Sequence, residues 1–184
     1  MRPNLDQRRR KIADALTPMA RSPISTAKRV SYALGYVELG LLTEAFEELE
    51  AVASKDRSSI PVMLAHMAIH MAAKDWALLV TVAKAAAKAN PALEQAWISW
   101  AYGQRRFTSV ADARAVLHEA ESHHGKSSAL IHYNLACYEC QLGEPDKALA
   151  RLRQACAIGG PEFKLLALDD PDLQPMRSRV ETLG

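Results

Sequence analysis

Cysteine is scarce in this chain of 184 residues: there are only three, Cys137, Cys140 and Cys156. An odd, clustered set does not make a disulfide framework, so the sequence predicts a reducing setting, the cytoplasm. Aromatic residues make up only 6% of the chain, and runs of β-branched residues are few, which argues against a sheet. No apolar run reaches the ~18 residues of a membrane span. The first residues, MRPNLDQRRRKIADAL, carry charge but no apolar stretch before a small-residue cleavage site, so no signal peptide is expected. Also missing are a glycine-rich phosphate loop, a GxSxG elbow and paired catalytic acids. The reading is therefore of a protein that is not an enzyme and needs no cofactor.

Charge of one sign is not in excess overall, since the formal net charge is +2. Its distribution is uneven. Residues 1–29 hold Arg2, Arg8, Arg9, Arg10, Lys11, Arg21, Lys28 and Arg29 against Asp6 and Asp14, so eight minus two gives +6 and leaves −4 for the remainder. A helix over residues 4–18, with Leu5, Ile12, Leu16 and Met19 on one stripe, fits this basic segment. It is read chiefly as a helix packed on the end of the fold. The alternative is an arm for nucleic acid or anionic lipid, but one RRRK cluster without interleaved aromatics argues only weakly for nucleic acid.

What the chain has in plenty is alanine, and the alanines recur. Ala148 is preceded by Ala113, Leu79 and Ala45 at spacings of 35, 34 and 34 residues. Three more columns keep that register: Ala136, Ala101, Met67 and Ala33; Leu152, Leu117, Ala83 and Leu49; Ala155, Ala120, Ala86 and Val52. Helical hairpins follow from the breakers. Gly143 suits a helix exit and Pro145 the first position of the next helix, with Glu144 as cap between them. The predicted pairs are 26–39 with 43–53, 61–73 with 75–89, 93–105 with 109–123, and 129–142 with 145–157. Thr43 and Asp75 are read as caps, Pro23 and Asn90-Pro91 as breaks, and Gly159-Gly160-Pro161 as the end of the series. A short helix at 162–168 should cover the last pair, with Asp170 or Asp172 capping one final turn.

At these positions the chain resembles the tetratricopeptide repeat family. Tyr36, Gly40 and Ala45 match in the first repeat, and Pro91 closes the second. Trp97 and Ala101 match in the third, then Leu135, Ala136, Gly143 and Ala148 in the fourth. The period agrees with the ~34 residues of that family. The second repeat departs from the pattern, with Leu79 for the usual small residue and Lys74 for the turn glycine, and the third has Thr108 for the glycine. The tail Asp170-Pro171-Asp172-Leu173 is similar to a segment that follows the last helix in many bacterial members.

The resemblance implies an all-α right-handed superhelix of four pairs (26–59, 60–93, 94–128 and 129–160). A basic segment (1–25) precedes them and a cap (161–184) follows. It implies a function of binding other proteins, with the first helix of each pair lining a concave groove. That face carries Val30, Leu34 and Val37; Leu64, Ala68 and Met71; Ile98, Tyr102, Arg105 and Arg106; and Tyr133, Cys137, Cys140 and Gln141. The expected partner is a peptide or amphipathic helix, with Tyr102, Tyr133, Arg105 and Arg106 as anchors. A narrower version is shielding of a hydrophobic segment, as small secretion chaperones do. The competing reading has the N-terminal helix or another subunit covering part of the lining. Clamping of a chaperone carboxylate does not fit, because Val30, Leu34, Ala65, Gln95 and Ser99 occupy the clamp positions.

Metal and redox chemistry are expected to be absent. The CxxC of Cys137 and Cys140 lies mid-helix with no second ligand pair, so cysteine as a small apolar filler is the preferred reading. His66 and His70 share a helix face but lack the glutamate of a zinc protease motif. Trp76, Trp97 and Trp100 are read as core, and His123-His124 as a solvated helix end.

Overall fold

The computed structural model describes residues 24–183; the helix expected over 4–18 lies outside the described residues. Among the described residues the chain is all-α, with ten helices, two short 3-10 turns and no strand. Four consecutive hairpins come first: α1 (Thr26–Glu38) with α2 (Leu42–Glu50), α3 (Ile60–Ala72) with α4 (Trp76–Ala89), α5 (Glu94–Phe107) with α6 (Val110–His124), and α7 (Ala129–Gln141) with α8 (Pro145–Gly159). A 3-10 turn (Ser54–Asp56) bridges the first two pairs. The C-terminal part comprises α9 (Glu162–Asp169), a 3-10 turn (Pro171–Met176) and α10 (Arg177–Glu181). None of these helices is long and apolar enough to cross a membrane.

Local chemistry explains the boundaries. Side chains of Ser25, Asp75, Ser109 and Ser128 accept hydrogen bonds from the backbone N–H three residues on, which satisfies donors that a helix start leaves free. Gly40 and Gly143 turn the chain in the left-handed region, at φ 74° and 77°. Lys74 makes the corresponding turn of the second pair at φ 56°, where its Cβ is strained. Two expected caps differ. Thr43 lies inside α2, which begins after Leu41 without a side-chain cap. Glu144 precedes α8 but makes no cap bond, because its carboxylate pairs with Arg114 at 2.9 Å instead.

All four sequence columns point inward. None of their sixteen residues exceeds 2% exposure, so the alanines mark positions where helices approach too closely for a larger side chain. Each helix packs on its successor, and α1 touches α3 as α3 touches α5. The apolar interior falls into two clusters that meet at α3. Val62, Ala65 and Ile69 join the smaller one with Val30, Ala33 and Leu49, whereas Met67 joins the larger.

The irregular second pair has a compensating partner. Leu79 is fully buried, and a Cβ built on Gly103 of α5 would stand 3.0 Å from Val80 Cγ2 and 3.3 Å from Leu79 Cδ2. The bulk that Leu79 adds to α4 is thus accommodated by the missing side chain on α5. The C-terminal part is more than a cover: Leu173, Met176, Val180 and Leu183 are all buried and complete the larger cluster.

Candidate interaction surface

The residues expected to line a groove separate into three groups. Those on α7 do not face solvent as a receptor surface. Cys137 and Cys140 are 3% and 7% exposed, and the C-terminal 3-10 turn lies against their helix. Val30 is likewise a core residue, packed with Ala33 and Leu49. These three positions are corrected from partner contacts to interior ones, because burial leaves them no surface to offer. Tyr133, Gln141 and Arg105 reach the surface only in part or, for Gln141, as a bonded rim, and their polar atoms are already engaged.

What engages them is the chain's own tail. The Tyr133 hydroxyl donates to Asp170 Oδ2 at 2.8 Å, and the Cys137 thiol approaches the same oxygen at 3.6 Å. Asp170 Oδ1 accepts from the Asp172 N–H at 2.9 Å, fixing the turn between them. Arg105 Nη2 donates to Asp172 Oδ1 at 2.9 Å while Nη1 reaches Oδ2, a two-point ion pair, and Gln141 Nε2 donates to Oδ1. Arg105, expected to anchor a partner, thus holds an acid of its own chain.

The electrostatics agree with a closed network. Burial, then the hydrogen bond to Asp170, pushes the Tyr133 hydroxyl well above its ordinary pKa. Burial and the two neighbouring aspartates push the Cys137 thiol up as well, which keeps it protonated. The hydrogen bond to Asp172 raises Arg105 further. Cys137 Sγ and carboxylate oxygens of Asp170 and Asp172 lie within 4.8 Å of one another, a spacing compatible with a metal. Those oxygens, however, already accept from Tyr133, Arg105 and Gln141, so ligation would cost the hydrogen bonds that hold the tail. Burial raises the Cys140 thiol too, so neither member of the CxxC is driven toward the thiolate.

The second group is a surface cluster on α4 and α5. Arg106 is exposed, stacks at 5.4 Å over the Tyr102 ring and 5.9 Å over the Trp76 ring, and donates to the Tyr102 hydroxyl at 3.3 Å. Tyr102 and Trp76 meet edge to face at 5.9 Å. Trp76 is half-buried here, while Trp97 and Trp100 are core residues as expected. Ile98 packs half-buried against the larger cluster. The third group remains accessible without a polar partner: Leu34 is exposed, and Val37, Leu64, Ala68 and Met71 are half-buried on α1 and α3.

Two features escaped sequence reasoning. His124 is buried rather than solvated, because its Nε2 bonds the Pro91 carbonyl at 2.9 Å and His123 stacks on Trp97 at 5.8 Å. A cleft of about 700 Å³ also opens between α2 and α4, floored by α3. Phe46, Met63, Val82 and Ala85 give it an apolar lining, with His66 and His70 on its floor and Glu50 and Arg57 at its edge. His70 is 6% exposed, meets Phe46 edge to face at 5.3 Å, and its Nδ1 finds no hydrogen-bond partner among the described residues. Desolvation lowers the pKa of both histidines. The i,i+4 spacing of the histidines was the only signal of this cleft in the sequence.

No family model matches the chain, and no curated protein matches it.

Proposed function

We propose that this chain is a helical-repeat scaffold of tetratricopeptide type, a right-handed superhelix of four pairs that captures a peptide or helix of another protein. The reading has no chemical step. The observation that carries it is the cradling of Asp170-Pro171-Asp172 by side chains of α5 and α7. A surface that binds one acidic turn through Tyr, Arg and Gln has the chemistry of a peptide receptor. Support also comes from the four buried columns and from contacts that run between neighbouring helices, as stacked repeats require.

With the α7 end filled, capture falls to the open stretch on α1 and α3, where Leu34, Val37, Leu64, Ala68 and Met71 offer apolar area. The Arg106–Tyr102 stack flanks it as the polar anchor. This moves the anchors away from Tyr133 and Arg105, and the lining away from Cys137, Cys140 and Gln141.

Photo-crosslinking from Leu34 and Met71 in the native cell, with mass spectrometry of the products, tests the reading. A recurrent partner segment, lost in a Tyr102→Ala variant of unchanged helicity, is the expected result. Crosslinks spread evenly over unrelated proteins would reject it.

A further inference from the structure

The cleft between α2 and α4 is a different surface from the one that faces a partner. Along it α4 packs more extensively on α5, where Gly103 admits Leu79, than on α3. The space left over is apolar, and the unpartnered Nδ1 of His70 sits in its floor. A groove of this volume, open to water, carries a cost that an apolar occupant would remove.

The geometry points to residues 4–19 of this same chain as that occupant. Thr26 Oγ1 donates to Asp56 Oδ2 at 2.7 Å. The bond fixes the start of α1 beside the 3-10 turn, and the next residues, Arg57 and Ser58, are the lip of the cleft. The described chain therefore begins close to the residues that form the cleft mouth. Five residues, 20–24, connect the two, and at ~3.3 Å per residue they reach about 16 Å. The sequence 4–19 carries Leu5, Ile12, Leu16 and Met19 at helical spacing, a match in kind to the lining. Charge agrees too. Residues 1–23 hold six cations (Arg2, Arg8, Arg9, Arg10, Lys11, Arg21) against two aspartates, a net +4. Glu44, Glu47 and Glu50 stand on α2, with Glu50 in the lining opposite a single cation, Arg57. The occupant is thus an apolar, basic segment supplied in cis, and its local concentration needs no high intrinsic affinity.

The test uses the full chain with a benzophenone amino acid at Ala85, an exposed residue of the lining. The expected product is a crosslink to residues 4–19 of the same molecule, with a yield unchanged on dilution. Ile12→Asp with Leu16→Asp should lower that yield about tenfold, the factor for losing a well-placed apolar contact. The same variant should speed amide exchange over Val82–Ala89, and circular dichroism should show the helices intact. A crosslink that fades with dilution would assign the cleft to a second copy and overturn the proposal. So would a crosslink to another polypeptide, or exchange that the double variant leaves unmoved.

Discussion

Arg105 on α5 and Asp172 in the C-terminal turn, 67 residues apart in the chain, form a two-point ion pair across the larger core cluster. The pair is only about one-fifth exposed, so water screens it less than a surface bridge. Its removal leaves the guanidinium without its acceptor, and the tail without its strongest polar hold.

Asp172→Ala should therefore cost roughly 1.5–3 kcal/mol, the range for hydrogen bonds to charged groups. Amide exchange should quicken first over Leu173–Leu183. Chemical denaturation with exchange mass spectrometry measures both. Uniform exchange across all helices would mean that the tail is not held separately.

Ala148→Leu tests the packing columns. Ala148 is fully buried where α8 meets α7, so three added carbons must displace a neighbour. Overpacking of this kind costs about 1–3 kcal/mol, a fall in Tm of a few degrees for a chain of this size. An unchanged Tm would place Ala148 at a looser contact.

Leu79 and Gly103 should be energetically coupled. Gly103→Ala alone gains helix propensity but brings Cβ to 3.0 Å from Val80 Cγ2 and 3.3 Å from Leu79 Cδ2. In a Leu79→Ala background part of that crowding is gone and alanine should become favourable at 103. The double-mutant cycle should give a coupling of at least about 0.5 kcal/mol. Additivity would show that the two positions adjust independently.

Stability should fall on mild acidification because of the cleft histidines. Desolvation is the first cause of the lowered pKa of His66 and His70; Glu50 and Asp75 pull the other way and Arg57 adds to the lowering. A depressed folded pKa means that the unfolded chain binds protons first, below its value of about 6.5. Stability contributed by the neutral rings is thus complete above that value. It is lost as pH falls from there through the folded pKa values. Thermal melts from pH 7.5 to 5 should show the loss, and a His66→Gln, His70→Gln variant should show less of it.

The sequence carried the helices because their signals are local. A serine or aspartate cap and a glycine in the left-handed region act over a few residues, and a period of 34 to 35 residues repeats them, which places the helical hairpins. Thr43 misled because a cap needs a free N–H at the right turn, and α2 begins one residue earlier. The binding face was legible only in part. Arg105, Tyr133 and Gln141 do sit together and do hold an acidic group, but nothing at those positions says that the group lies 30 to 70 residues downstream. The cleft was marked only by the spacing of His66 and His70 for a related reason: its walls belong to separate helices that packing alone brings together.

The two apolar clusters that meet at α3 give the molecule a seam. The front cluster, which includes Val30, Ala33, Ala45 and Leu49, shares no buried side chain with the rear one beyond the helix that separates them. Heat or force should then open the first hairpin before the remainder. Such a seam would act as a fuse at one end, sparing the tail-bound half when the leading hairpin is damaged.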